Sequence, residues 1–585
     1  MGGCTLSKLP VLPLPQLETT HKELLTWIKP LLTEDEFIES KNEIDLFFQK
    51  NEIGEMLQEK LIAWQGNHKN NWLAPLWDDL YLTHRGKLQT NLNYHFIVDH
   101  ESFSTCENKT QLTARFSQKL ALFYHLILDG ALYNDAIIPQ IICDDQFSYL
   151  FKGTRLPHEQ KDRYHVGKMD KRNNYVIIMH KQRFYPLCIT NDTGNIINEE
   201  NIMQAIDSIV TSNLQNNASP IGYMTTAKRT EAARIYHALN NDENNQTNFH
   251  IIEEALSFIH FDEESNDAIT ALKRMFLDGS DKYYDKALQF SITSDNKIGV
   301  SVEHTKLDAT TILTLFEYIT ANFTKKTYSD SGIHNQQEIK ALEWHVSDQL
   351  QITLDSLVSA NQQDITSYSI FEKVVKTVGT DNIKEAKFSP DAFFHMALQI
   401  AAYETFGQIK STYEAVAMRT YQQGRTECNR PSTTETLELA KYYTQENKTS
   451  SITSSLMQKA HDEHRRRLKN CVTGNGIERH LFGLEQMYEL YGTDLGLTEK
   501  PHLFASTGYE ALKHDVLSTT NISHPLVSHF IFGPVVEDGY GLYYSLLPNS
   551  IKINISTKNS HEQKAVLLIN TFEKVVNDLL HIANE

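Results

Sequence analysis

No stretch of this chain holds the run of about 18 or more apolar residues that a bilayer crossing needs, so no integral membrane segment is expected. Basic charge is scarce: 55 Lys and Arg stand against 74 Asp and Glu, for a formal net charge of −19 and a pI of about 5.7. That balance excludes a nucleic-acid binder with a broad basic face, and any anionic ligand must meet a local basic cluster. The six cysteines, at positions 4, 106, 143, 188, 428 and 471, form no CxxC pair. Neither a zinc ribbon nor a disulfide framework is indicated, no metal is assigned, and free thiols in a reducing, cytoplasmic setting are expected. Before Leu9 there is no long apolar or Arg-rich segment, and Leu6 occupies the place where a myristoylation signal starting at Met1-Gly2 needs Ser or Thr. Neither a mitochondrial presequence nor N-terminal acylation is expected.

What the chain does have is length. At 585 residues it exceeds what one ordinary core serves, so two domains are the default. With 40% hydrophobic and 22% charged residues it reads as a globular protein. From Thr20 to about Gln65, spacings such as Leu24, Ile28 and Leu31 predict helices. Between Asn91 and His345, helical runs (Phe116 to Ala131, Glu200 to Asn213, Glu231 to Leu239) alternate with strand-like ones (Tyr175 to His180, Arg183 to Ile189). That mixture is α/β.

The most informative stretch runs from Asp281 to Ile319. Leu288, Phe290 and Ile292, then Ile298, Val300 and Val302, alternate with small or polar neighbours, so two half-buried strands are expected, with a turn over 294–297. Beyond Glu303 the period changes. Ile312, Leu315, Phe316 and Ile319 share a helix face, and Asp308 is the natural N-cap. His304 stands at this strand-to-helix junction, where open α/β sheets keep ligands and catalytic groups. Taken alone, it reads more readily as a hydrogen-bonded loop histidine, with Asp308 as a mere cap.

Further on, Ser389-Pro390-Asp391 opens a helix that Gly407 stops, with Lys384 and Lys387 just ahead of it. Unpaired N–H groups and the helix dipole favour an anion at such a start, against the plainer reading of two solvated lysines. In HDEHRRRLKN, His461 and His464 lie at i, i+3. No third ligand stands at a convincing spacing, so a solvated basic helix face is expected there.

Tyr283, Asp285 and Lys286, two short strands, the pair Glu303-His304 and an acid at Asp308 together resemble the active-site segment of the carnitine/choline acyltransferase family. Other phrases are similar to the same family. They include LPVLPLPQLETTHKELLTWIKPLLTEDEF from Leu9, QFSYLFKGTRLP with Arg155, PIGYMTTAKRTEAARI with Arg229, STYEAVAMRTYQQGRTECNRPST from Ser411, GIERHLFGLE from Gly476 and LSTT from Leu517. HFIFGPVVEDGYG from His529 is another, expected as a hairpin turning at Asp538-Gly539.

The resemblance implies an α/β protein of two chloramphenicol-acetyltransferase-like domains, each a mixed β-sheet flanked by helices, with an active-site tunnel at their interface. Residues 1–90 would be N-terminal helices packing with the C-terminal domain. Residues 91–345 would form the domain with the catalytic histidine, and 346–585 the domain with the coenzyme A and carnitine sites. It implies direct transfer of a short acyl group between coenzyme A, a co-substrate and not a permanently bound cofactor, and the hydroxyl of carnitine, by a monomer. His304 becomes the general base, with Asp308 beside it, and Thr520 with Ser518 the oxyanion and carnitine contacts. Lys384, Lys387 and Asp391 fall in the coenzyme A phosphate segment, although Thr380 replaces that segment's first lysine. Thr520 stands where the family usually has serine.

Tyr413, Thr426 and Arg479 match the carnitine carboxylate site, and asparagine replaces that arginine in choline acetyltransferases. Phe530 stands where members that accept long acyl chains carry glycine, which implies a blocked acyl channel. A choline acetyltransferase, or a catalytically silent coenzyme A-binding protein on the same fold, are the alternatives left open by the residues.

Overall fold

The computed structural model describes residues 9–132, 142–212, 218–262, 264–265, 267–327 and 339–585. Met1–Cys4 and Leu6, with the acylation question, lie outside them, as does Asn213. Among the described residues no helix is long and apolar enough to cross a membrane, and Cys106, Cys143, Cys188, Cys428 and Cys471 form no disulfide with one another. In chain order the strands are β1 (Tyr94–Val98), β2 (Gly153–Leu156), β3 (Arg163–Val166), β4 (Tyr175–His180), β5 (Arg183–Cys188), β6 (Phe258–Phe261), β7 (Leu288–Ile292), β8 (Ile298–Val302), β9 (Tyr368–Val375), β10 (Thr412–Ala417), β11 (Thr426–Asn429), β12 (Leu517–Asn521), β13 (Val527–Phe532), β14 (Tyr540–Leu547) and β15 (Ser550–Lys558).

Contacts divide the chain into two compact units. The first holds Asp78–Tyr368 and His524–Gly533; the second holds Leu9–Trp77, Ser369–Ser523 and Pro534–Glu585. The cuts therefore fall after Trp77 and Tyr368, not at the expected 90 and 345. The later cut has a clear cause. The helix Asp348–Ser367 buries Leu354 and Leu357 in the same cluster as Tyr283 and Phe258, and its Asn361 donates to the Leu277 carbonyl at 2.7 Å and accepts from the Gly279 N–H at 3.0 Å.

The first unit is built on a mixed seven-stranded sheet in the order β13-β1-β8-β7-β6-β4-β5. β7 and β8 pair antiparallel from Leu288 opposite Val302 to Ile292 opposite Ile298, with Asn296 at φ 59° in the turn. Every residue of both strands is buried, so they are not the half-buried strands the alternation suggested. Helices cover both faces. Phe290 meets Phe116 and Phe316 on one side, while on the other Gly299 lies so near the helix Ala268–Leu277 that an added Cβ would stand 2.3 Å from the Met275 sulfur. Small and polar residues on the second face make room for that helix, and mimic the pattern of a solvated face.

The second unit carries a mixed six-stranded sheet in the order β11-β10-β12-β14-β15-β9. Leu542, Tyr544, Ile553 and Ile555 on one face form a continuous core with the helices Pro390–Phe406 and Glu562–Asn584. The run from His529 is not a hairpin. β13 pairs with β1 in the first unit's sheet, whereas β14 pairs with β12 and β15 in the second's, because Gly533-Pro534 leads the chain out of one sheet before Asp538-Gly539 enters the other.

Behind His304 the first unit buries a net of charges. The side chains of Arg155, Arg229, Asp162, Asp285 and Glu303 are all without solvent exposure. Asp162 Oδ2 accepts from Arg155 Nε at 2.7 Å and from Arg229 Nε at 2.6 Å, and Arg229 Nη1 reaches Asp285 at 2.7 Å. Burial works to raise Asp162, but Arg229 and Arg155 outweigh it and hold its carboxyl below the usual range. At Asp285 burial wins, pushing it up to about 6 against the pull of Arg229. Lys286, pushed down to about 7 by burial, donates to the carbonyls of Ile252 and Glu253 at the end of the helix Glu243–Glu254, where an ammonium offsets the helix dipole. Removing one member of such a net strands its partners in a low-dielectric interior. Arg229→Met is expected to destabilise the protein by about 3–5 kcal/mol, read as a lower urea midpoint; an unshifted midpoint would refute this account of the net.

Candidate active site

His304 follows β8 and is set by what lies on either side of it. Glu303 Oε1 accepts from Thr305 Oγ1 at 2.6 Å and from Arg155 Nη1 at 3.3 Å, fixing the backbone that presents the ring. Arg155 Nη2 also holds the Tyr81 carbonyl at 2.7 Å. The Tyr81 and Tyr94 rings then pack edge-on to the imidazole, with centroids at 5.3 and 4.8 Å.

The protonation pattern follows from one bond. His304 Nδ1 lies 2.7 Å from the Leu307 carbonyl oxygen, which can only accept, so Nδ1 carries the proton and Nε2 the lone pair of the neutral ring. Asp308 Oδ1 is 3.9 Å from the same Nδ1, near enough to favour the imidazolium once Nε2 takes a proton. Asp308 occupies the N-cap position of the helix Ala309–Asn322, but its side chain makes no capping bond. Its carboxylate accepts from Gln146 Nε2 at 2.7 Å, and Gln146 Oε1 takes the Asp308 N–H at 2.8 Å and the Thr311 hydroxyl at 2.7 Å. Gln146 thus holds both the side chain and the N–H of Asp308, whose carboxylate stands beside the histidine. Phe530 on β13 is buried, 5.4 Å from the Tyr94 ring and stacked on it, so one tyrosine separates it from His304.

In the second unit, Tyr413 on β10, Thr426 on β11 and Arg479 in the helix Glu478–Tyr491 meet. Arg479 Nη2 donates to Tyr413 Oη at 2.8 Å and to Thr426 Oγ1 at 3.3 Å, and Nε donates to the Thr426 carbonyl at 3.1 Å. Its guanidinium carbon stands 3.9 Å over the Trp77 ring. At 3% exposed, Arg479 is no surface arginine. Burial pulls against its charge, yet Tyr413 and Glu427 raise it above the usual arginine value. Among the described residues its Nη1 makes no hydrogen bond. Ser518 lies opposite Tyr413 in the parallel pair β10–β12, and alternation puts Thr520 on the same face.

Lys384 and Lys387 are exposed, the first in the short helix Thr380–Glu385 and the second in the following turn at φ 65°. Beyond them the helix Pro390–Phe406 begins with no side-chain cap from Ser389, whose N–H donates to His461 Nε2 at 3.1 Å.

Two expectations need correction here. His461 and His464 are buried, not part of a solvated face, because residues three apart on the helix Ser450–Val472 share the stripe that packs inward. Asp391 is not directed at a phosphate. Its oxygens accept from Tyr544 Oη at 2.6 Å and pair with His464 Nε2 at 3.2 Å, and an ionised carboxylate repels phosphate.

Glu414 joins this cluster from β10, 3.6 Å from His464 and 3.4 Å from His395. Burial and the neighbouring Asp391 push Glu414 well up, whereas His464, His395 and Tyr544 outweigh burial and hold Asp391 low. The three donor atoms of Asp391, Glu414 and His464 lie within 4.8 Å of one another, a grouping hidden from the sequence because its members are far apart along the chain. The same holds for Glu427, which sequence reasoning passed over. Its only local sign was an acid next to a site residue.

The profile of the Choline/Carnitine o-acyltransferase family matches residues 12–574. Human carnitine O-acetyltransferase is 26% identical, over 98% of this chain and 93% of its own length. Choline O-acetyltransferase of Danio rerio is 28% identical, over 98% and 92%, and mitochondrial carnitine O-palmitoyltransferase 2 of Mus musculus is 26% identical, over 96% and 90%. With a family match spanning nearly the whole sequence, the chain is an acyltransferase belonging to the choline/carnitine O-acyltransferase family.

Proposed function

We propose that the protein transfers short acyl groups, acetyl foremost, reversibly between coenzyme A and the hydroxyl of carnitine, with His304 as general base. The observation that carries this reading is Arg479. A desolvated guanidinium flanked by Tyr413 and Thr426 suits the carboxylate that carnitine has and choline lacks, with Nη1 as its donor to that carboxylate.

In this reading Nε2 of His304 takes the proton of the carnitine hydroxyl as its oxygen attacks the thioester carbonyl. The Thr520 hydroxyl, with Ser518 beside it, donates to the oxyanion that forms, a type of contact worth about 10²–10³ in rate. Collapse breaks the carbon–sulfur bond, and the imidazolium returns its proton to the departing thiolate. Holding both substrates at once gains from proximity, and no acyl-enzyme is needed. The ammonium groups of Lys384 and Lys387 meet the phosphates of coenzyme A. Asp308 stabilises the imidazolium without touching substrate.

The deciding assay follows free thiol release from acetyl-CoA with carnitine or with choline; preferential use of choline would overturn the reading. His304→Ala should cost about 10²–10⁴ in kcat with melting unchanged, and activity within about tenfold of the unmodified protein would remove the general-base assignment. Arg479→Asn should raise the carnitine KM about tenfold or more, as loss of a charge-assisted bond of about 1.5–3 kcal/mol requires, and improve choline relative to carnitine. Equal responses to the two acceptors would count against Arg479 as the discriminator. Phe530→Gly should open activity on octanoyl and palmitoyl donors, since each CH₂ newly buried gains about 0.8 kcal/mol. A CoA-ester series in which chain preference does not move would rule out the channel-block role.

A further inference from the structure

The helix Glu478–Tyr491 starts badly on its own terms. Ile477, in the N-cap position, offers no side-chain acceptor, and Gly476 before it has no side chain, so the first N–H groups need a partner from elsewhere. Glu427 of β11 provides it. Its Oε1 accepts from the Arg479 N–H at 3.2 Å and from the Cys428 N–H at 2.8 Å. Room for this carboxyl depends on glycine at 476, where a Cβ would stand 2.4 Å from Glu427 Cγ and 2.6 Å from Cδ. Register and alternation put Glu427 on the face of β11 opposite Thr426. Arg479 is therefore gripped twice, its backbone by Glu427 and its guanidinium by Thr426 and Tyr413.

We propose that Glu427 is a positioning residue for acceptor binding: it holds the Arg479 N–H at the first turn of the helix, which aims the guanidinium, and its charge tempers the attraction Arg479 exerts on an anionic acceptor. This rests on reading Arg479 as the carboxylate site. Burial pushes Glu427 up to about 7, against the pull of Arg479 and the two N–H bonds. The other titratable groups facing it do not change charge nearby. Cys428 on its own strand and Cys471 on the helix Ser450–Val472 are pushed well up by burial, Arg479 is raised, and Glu478 is held low because Arg430 and Lys513 overcome its burial. Because the folded value is raised, the fold favours the neutral acid. Its contribution to stability is present below the ordinary glutamate range and is lost as pH rises through about 7. Above that pH the carboxylate competes for Arg479, so the carnitine KM rises between about pH 6 and about pH 8.

Two substitutions separate the roles: Glu427→Gln keeps an acceptor oxygen and removes the charge, while Glu427→Ala removes both. The alanine variant should raise the carnitine KM about tenfold, the scale of a lost helix cap, with the acetyl-CoA KM unchanged. The glutamine variant should restore the KM and abolish its rise with pH. A carnitine KM within about twofold of the unmodified protein in the alanine variant overturns the proposal, as does an equal rise in both KM values, the mark of general loosening. Hydrogen exchange at the Arg479 amide is independent of the acceptor: it should quicken with alanine and not with glutamine, and unchanged exchange with alanine overturns the proposal. Quicker exchange in a protein whose unmodified form does not turn over carnitine would uphold the positioning role and overturn the carnitine reading instead.

Discussion

Two arginines without solvent exposure, Arg155 and Arg229, impose the constraint on which the first unit depends. A guanidinium cannot shed its charge, so each must find carboxylates or carbonyls in the interior. Asp162 satisfies both at once, Asp285 and Glu303 take one each, and the Tyr81 carbonyl completes Arg155. The consequence reaches His304 because Glu303 precedes it in the chain and the Tyr81 ring packs edge-on to its imidazole. Ion pairs this deep add little net stability compared with apolar packing. What they add is a single arrangement of the loop, since any other would leave a charge unpaired.

The histidine shows the same economy of local bonds. The Leu307 carbonyl fixes the tautomer, and Gln146 holds the Asp308 carboxylate and N–H so that the carboxylate stands beside the ring. A backbone acceptor decides which nitrogen is basic, and a nearby carboxylate favours the protonated form of the ring.

In the second unit the two faces of one sheet do different work. Tyr413, Thr426, Ser518 and Thr520 line one face, while Glu414 and Asn429, between them on the same strands, turn to the helix side. There Asn429 donates to Glu414 at 2.9 Å, within a cluster that holds Asp391, His464, His395 and Tyr544 by shared hydrogen bonds. Through Asp391, at the first turn of the helix Pro390–Phe406, these bonds tie the start of that helix to His464 and Tyr544.

The sequence by itself determined the α/β class and most of the helices and strands, because these depend on period, capping residues and short spacings; the pairing of Glu303-His304 with Asp308 came only from resemblance to the family's active-site segment. It also named Tyr413, Thr426 and Arg479, through phrases whose residues stand together only after folding. What the tertiary structure alone decided is everything carried by long-range contact. Phe530 belongs beside Tyr94 because β13 joins β1, although 436 residues of chain numbering separate Tyr94 from Phe530. β7 and β8 are buried on both faces because the helix Ala268–Leu277 covers the small, polar side that local alternation assigned to water. His464 meets Asp391 and Glu414, and Glu427 meets the Arg479 backbone, across separations to which no local pattern extends. Spacing along a chain reports which side chains share a helix face or strand face; which partner covers that face depends on how the elements pack.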